Sequence, residues 1–293
     1  MKRKEFIQNM SWGGLLATLG VGNYLKAASN SSSVQKTNFK QVGFNHINNM
    51  ETKTNTTVLH KADTRGDANH GWLHSKHTFS FANYYNPERM SFGVLRVLND
   101  DKVAAGMGFG KHPHSDMEII SIPLEGDLKH MDSTGRSEII KQGDVQVMSA
   151  GTGIQHSEMN ANKDKEVKFL QIWVMPNERG VTPRYQQITL EEGARDNKLQ
   201  QVLSPNADDE GVWIHQDAWF HLGRLDKDTA VTYDIKKAGN GVYAFIIEGD
   251  VTINGQKLEK RDGFGLWDIE SFDIKADSNA EVLLMEVPMD LTH

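Results

Sequence analysis

The sequence predicts an all-β protein built from two similar antiparallel barrels, and three observations carry that prediction. Short runs rich in Val, Ile, Leu and aromatics alternate with turn signals. Phe92 to Leu98, Ile119 to Leu124, Val145 to Met148 and Phe169 to Met175 are punctuated by Asn99-Asp100-Asp101, Gly126-Asp127, Ser133-Thr134-Gly135 and Gly143-Asp144. Strands and turns at this spacing belong to antiparallel barrels and sandwiches. An internal echo lies further along: Ile122-Pro123-Leu124-Glu125-Gly126-Asp127 returns as Phe245-Ile246-Ile247-Glu248-Gly249-Asp250, as a duplicated unit would leave it. The third observation is length. At 293 residues the chain exceeds a single domain of roughly 100 to 200 residues, and two units of about 120 leave an N-terminal tail.

That tail has its own pattern. Lys2, Arg3 and Lys4 precede Phe6 and Ile7, a weakly apolar, glycine-bearing run follows from Met10 to Leu25, and AASNSSS comes next. This is the layout of an export signal, with Ala27 to Ser29 as the cleavage neighbourhood. Arg3-Lys4-Glu5-Phe6-Ile7 and the mildly hydrophobic middle place it nearer a twin-arginine signal than a general secretory one, with Lys4 where the second arginine belongs. Export to the periplasm is the expectation; the alternative is an amphipathic tail on a cytoplasmic protein. A membrane helix needs about 20 apolar residues, and Gly13, Gly14, Gly20, Gly22 and Asn23 interrupt the run, so no permanent span is expected. The polar stretch from Ser29 to Lys40 reads as linker. Residues 1–40 are therefore assigned to signal and linker, 41–180 to the first barrel and 181–293 to the second.

Composition narrows the function classes. With 38% hydrophobic and 24% charged residues, a soluble core forms without staples. A formal net charge of -7 argues against an electrostatic grip on nucleic acid, and no nucleic-acid partner is expected. Cysteine is absent, which excludes disulfides, thiolate ligands, a cysteine nucleophile and a lipid-bearing cysteine. Any metal must use nitrogen and oxygen. A monomer is expected.

The second unit reads as a variant of the first. Asn254-Gly255 suits a tight type I′ hairpin tip after the echoed Glu-Gly-Asp. Helix is minor, with one short candidate from Thr189 to Arg195. His215 and His221 have no neighbours at ligand spacing and read as ordinary side chains.

Two clusters carry the chemistry: His112-Pro113-His114 with Glu118 close behind, then His156-Ser157-Glu158. Side chains alternate along a strand, so His112 and His114 share a face, as do His156 and Glu158, and adjacent strands bring such pairs together. Three imidazoles and a carboxylate suit iron, nickel, copper, cobalt or zinc better than calcium or magnesium. Strand parity leaves Glu118 and Glu158 both open as the carboxylate. His130 reads as a hydrogen-bonded strand histidine.

Glycines frame both clusters: Gly106 and Gly126 the first, Gly143, Gly151 and Gly153 the second. This resembles the two cupin motifs, with two extra residues between Gly151 and His156 and one between Glu118 and Gly126. The longer run from Thr78 to Asn160 contains TFSFANYYNPERMSFGVLRVLNDD, GFGKHPHSDMEII and LKHMDSTGRSEIIKQGDVQVMSAGTGIQHSEMN. It closely resembles the pirin family, and FLQIWVMPNERGVTPRYQQ extends the likeness to Gln187. The resemblance implies two tandem cupin barrels, a bicupin, and it implies the ligand set His112, His114, His156 and Glu158. Glu118 then becomes a substrate-side residue, with Phe109. It also implies one divalent transition ion, iron foremost, with nickel, cobalt, copper or zinc accepted by the same ligands.

In function, the resemblance points to ring opening of a flavonol or related phenol by dioxygen, as in quercetin 2,3-dioxygenases, with Glu158 taking the substrate hydroxyl proton. The partners would be a phenolic small molecule and O2. The alternative is a non-enzymatic iron-binding regulator that works through protein contacts. Phe79, Phe81, Tyr84, Tyr85 and Phe92 are candidates for a flat slot, although core packing accounts for most. Shifting His112 and His114 by the offset of the echo gives Ile235 and Lys237, so the second barrel is expected to lack the metal ligands.

Overall fold

A computed structural model describes residues 56–291, nearly all of them strand and turn. The expected signal, its cleavage neighbourhood and the linker lie outside the described residues. The first barrel is built from β2 (Gly66–Asn69), β3 (Leu73–His77), β4 (Leu95–Val103), β5 (Gly108–His114), β6 (Glu118–Glu125), β7 (Leu128–Asp132), β8 (Ser137–Ile140), β9 (Asp144–Ser149), β10 (Ile154–Asn160), β11 (Val167–Val174) and β12 (Arg184–Thr189), with β1 (Thr56–His60) preceding it. The second uses β13 (Leu199–Ser204), β14 (Val212–Trp213), β15 (Trp219–Leu225), β16 (Ala230–Asp234), β17 (Asn240–Glu248), β18 (Val251–Ile253), β19 (Gln256–Leu258), β20 (Gly263–Trp267), β21 (Ser271–Ala276) and β22 (Ala280–Pro288). Each barrel pairs a seven-stranded sheet with a four-stranded one. The orders correspond: β12-β9-β6-β11-β4-β3-β2 over β5-β10-β7-β8, and β1-β20-β17-β22-β15-β13-β14 over β16-β21-β18-β19. The duplication expected from the echo is therefore real. Gly126 and Gly249 end matching strands with φ of +76° and +75°, a conformation that glycine adopts without strain.

The barrels exchange edge strands. β1 pairs with β20 of the second barrel, whereas β12 pairs with β9 of the first, from Arg184 opposite Ser149 to Thr189 opposite Asp144. Sheet membership thus departs from the expected boundary at 180 and 181, because β12 completes the first barrel. Buried aspartates fix both exchanges. Asp144 accepts from the Lys141 backbone, Gln187 Nε2 and Thr189 Oγ1, and Asp262 accepts from the Glu259 and Ala62 backbones and Lys61 Nζ. The helix expected from Thr189 to Arg195 does not form. Thr189 ends β12 on Asp144, and the following turn contains Gly193 at φ +75°.

Between the two large sheets lies the main core. Phe79, Phe92, Ile120, Ile122, Val145 and Val147 from the first barrel belong to the same buried cluster as Phe220, Tyr243, Phe245 and Met285 from the second. Burying each such side chain contributes about 1.5–3 kcal/mol, so the large sheets hold each other through their outer faces. This explains why β6 reads as a nearly continuous apolar run rather than an alternating one. Ile120 and Ile122 face the neighbouring barrel, while Ile119 and Ser121 face the interior of their own.

Candidate metal centre

Strands β5 and β10 of the small sheet bring the histidines together. His112 lies opposite His156 and His114 opposite Ile154, and the register shifts so that Glu158 lies opposite Phe109. That bulge spans Gly110 and Lys111 and re-aims the strand so that Phe109 and His112 both face inward. Gly108 permits the close approach, since a Cβ there would collide with the Glu158 carbonyl. The three imidazole centroids stand 4.5, 4.8 and 4.9 Å apart, and one ring nitrogen from each lies within 4.8 Å of the others. His112 Nδ1 donates to the Gly110 carbonyl at 2.7 Å, which makes Nε2 the nitrogen left for a ligand.

These residues fit a transition ion. His114 Nε2 and both ring nitrogens of His156 are buried without a protein partner, a costly state unless something binds them. Burial, then the neighbouring imidazoles, pushes the His156 pKa down to about 2 and that of His114 to about 4. Both rings are therefore neutral near pH 7, as metal ligation requires.

Glu158, expected as the fourth ligand, is buried beside the centre with its carboxylate engaged elsewhere. Ser121 Oγ stands 2.9 Å from Glu158 Oε1 and 2.9 Å from Gln171 Oε1, and Gln171 Nε2 stands 2.9 Å from Glu158 Oε2. The ring has three contacts. Ser121 and the Gln171 amide supply one proton each, so all three contacts are filled when the Glu158 carboxyl carries the third; ionised, it accepts from both neighbours. Burial likewise pushes the Glu158 pKa up to about 7, against the lowering effect of its hydrogen bonds.

The other expected residues separate. Glu118 starts β6 on the face turned toward the second barrel; Ser149 Oγ donates to it at 2.6 Å, and the His215 backbone and the Arg184 charge also act on it. It therefore does not face the histidines. Phe109 packs edge-on against Trp72 at 5.6 Å and on the cluster of Leu73, Val103 and Phe169, so it fills the barrel floor. Phe79 and Phe92 belong to the inter-barrel core and Tyr85 is exposed. Phe81 lies one ring away from the centre: its ring meets Trp173 at 5.3 Å, and Trp173 meets His114 at 4.9 Å. His130 is the hydrogen-bonded histidine expected, 2.9 Å from Asp132, with its ring 5.4 Å from His156. Ser121, Gln171 and Trp173 were missed because each reads as an ordinary residue of an apolar strand.

The second barrel shows the same positions without the chemistry. Leu128 opposite Asn160 corresponds to Val251 opposite Ala276, so His156 and Glu158 become Phe272 and Ile274. Tyr233 lies opposite Phe272, which makes Tyr233 the counterpart of His112 and Ile235 that of His114. The offset expectation of Ile235 and Lys237 was two residues too far along, because the connection from β16 to β17 is two residues longer. Its conclusion holds: no histidine pair stands there. Ser121 and Gln171 become Ala244 and Leu284.

Two tandem barrels with a three-histidine centre in the first define a two-domain cupin. The pirin model matches residues 58–174 and the quercetinase C-terminal cupin domain matches residues 201–287, and the chain belongs to the pirin family. It is 49% identical over 230 residues to a quercetin 2,3-dioxygenase of Escherichia coli (strain K12), covering 78% of this chain and 98% of that protein. It is 40% identical over 225 residues to a pirin-like protein of Caulobacter vibrioides, covering 76% and 96%. The crystal structure of the bacterial pirin YhhW from Escherichia coli in complex with nickel(II) superposes with a TM-score of 0.75 at 47% identity, covering 80% of this chain and 99% of that one.

Proposed function

We propose that this chain is a metal-dependent dioxygenase that opens the central ring of a flavonol or a related phenol. The observation that carries this reading is a centre of three clustered imidazoles with a buried carboxylate, Glu158, held beside it by Ser121 and Gln171. The 49% identical relative named quercetin 2,3-dioxygenase supports the substrate class. His112, His114 and His156 would hold the ion, and Glu158 would join them once its proton leaves. Iron is the proposed ion, although the same donors accept nickel, the ion in the Escherichia coli relative.

A bound divalent ion supplies Lewis acidity toward a phenolic oxygen and a meeting point for substrate and dioxygen. The chain itself moves the proton. Once ionised, the Glu158 carboxylate takes it from the substrate hydroxyl and later returns it to the product carboxylate, with Ser121 and Gln171 keeping the carboxyl in position. Both atoms of O2 end on the carbons that flank the hydroxyl-bearing carbon, which leaves as carbon monoxide, so no further oxidant or reductant is needed. Trp173 packs on His114 and Phe81 packs on Trp173, so aromatic rings cover one side of the histidines. Export through the twin-arginine-like N-terminus belongs to the same proposal. Among the described residues, no helix is long and apolar enough to cross a membrane.

The test is aerobic turnover of quercetin by protein loaded in turn with iron, nickel, cobalt, copper or zinc, read as loss of flavonol absorbance and release of carbon monoxide. Carbon monoxide release that disappears in His112→Ala supports the reading. Ion binding without turnover under every metal overturns it and favours a regulator acting through protein contacts.

A further inference from the structure

Next to the metal centre the barrel interior is polar where a core of this fold is ordinarily apolar. One row of cross-strand partners runs over five strands of the large sheet: His77 faces Asn99, Asn99 faces Gln171, Gln171 faces Ser121, and Ser121 faces Gln146. Directly paired residues share a face of a sheet, and all five are buried. Glu158 meets the row from the small sheet through Ser121 and Gln171. The matching row of the second barrel reads Gln201, His221, Leu284, Ala244 and Phe264. The fold thus forms without a complete polar row, so the row in the first barrel serves its site.

Ser121 and Gln171 are engaged with Glu158. Several other polar atoms have no partner: His77 Nδ1, Asn99 Oδ1 and, one row nearer the histidines, Trp173 Nε1. Each buried polar atom left alone costs about 1–3 kcal/mol, and in native proteins such atoms meet water or a ligand. His77 and Asn99 are paired across β3 and β4, and Trp173 lies two residues along β11 from Gln171, the other partner of Asn99. Phe81 joins them, edge-on to His77 at 5.2 Å and to Trp173 at 5.3 Å. Phe81, Trp173 and His114 are each half-buried, so solvent reaches this side past the histidines. The set combines one acceptor, Asn99 Oδ1, one fixed donor, Trp173 Nε1, and one imidazole nitrogen able to play either part. A hydroxyl both donates and accepts, so it suits this set better than an ether or a halogen does.

We propose that His77, Asn99 and Trp173 form a specificity subsite that reads a hydroxyl on an aromatic ring lying against Phe81. The proposal rests on the phenolic reading above and adds the residues that select among phenols. An analogue without the hydroxyl leaves the buried atoms unpaired and is rejected.

The experiment measures binding without turnover: anaerobic titration of the full chain, nickel-loaded and metal-free, with quercetin and analogues lacking one hydroxyl each, followed by tryptophan fluorescence and calorimetry. Wild type is expected to favour at least one hydroxylated ligand over its deoxy analogue by about tenfold, one paired hydrogen bond. Asn99→Leu and Trp173→Phe are expected to lose that preference while nickel content stays unchanged. Trp173→Phe removes the N–H and two ring carbons but keeps an aromatic ring against His114, so it remains informative if Asn99→Leu fails to fold. Preference retained in the folded variants overturns the subsite and leaves the phenolic reading standing. Ordered water on all three atoms in a crystal with flavonol bound also overturns it. Wild type that binds no phenol overturns the phenolic reading, and the subsite with it.

Discussion

Gln171 Nε2 lies 2.9 Å from Glu158 Oε2, and this contact closes the ring in which Ser121 already touches both residues. The ring places the carboxyl without help from an ion, which gives Gln171 a role separate from metal binding. Gln171→Leu, which installs the residue of the second barrel, is expected to reduce turnover by about 10- to 100-fold. Metal content measured by emission spectroscopy should stay near that of wild type. Equal activity would show that Glu158 needs no positioning.

Replacing the carboxyl itself separates ligand from base. Glu158→Gln is expected to keep the ion on His112, His114 and His156 while losing carbon monoxide release. His156→Ala should weaken ion binding by more than the roughly 10- to 100-fold usual for an outer residue, as seen by competition with a chelating dye. Undiminished turnover in Glu158→Gln would remove the base role.

Glu118 gives a pH dependence unrelated to the metal. Burial raises its pKa from 4.5 to about 7, opposed by the Ser149 hydrogen bond and the Arg184 charge. Between these values the folded chain holds a proton that the unfolded chain has released, so stability falls as pH rises from 4.5 to about 7. The loss is on the order of 2–3 kcal/mol. Glu118→Gln should flatten this part of the profile and melt higher than wild type at pH 8, with the two alike near pH 4. A parallel profile in thermal melts would show that Glu118 is ionised at little cost.

In the second barrel Glu286 occupies the place of Trp173 and ties a loop down. It accepts from Tyr233 Oη at 2.8 Å, the Lys237 backbone at 3.0 Å, Asn240 Nδ2 at 3.0 Å and the Lys236 backbone at 2.9 Å. Glu286→Leu leaves those donors without an acceptor and is expected to cost about 3 kcal/mol or more. Urea unfolding should show the loss, while metal content stays unchanged. A smaller effect would mean that water replaces the carboxylate.

Strand placement, the duplication and the three histidines were legible because each rests on local pattern. His-x-His puts two imidazoles on one face of any extended strand, and Gly126 and Gly249 mark equivalent turns wherever the strands later pack. Sequence parity failed at Glu118, which has the right spacing but stands on β6, a strand whose even positions face the other barrel. It failed also at the 180 and 181 boundary, since only pairing shows which sheet an edge strand joins.

The sequence by itself determined that two β units exist, that one has lost the ligands, and that nitrogen and oxygen must hold any ion. Tertiary structure alone decided that β1 and β12 change places. It also decided that Ser121, Gln171 and Glu158 meet, although 50 residues separate Ser121 from Gln171. The physical reason is the closing of a sheet on itself: local sequence fixes which face a side chain takes, whereas register between distant strands fixes which side chains share a level inside the barrel.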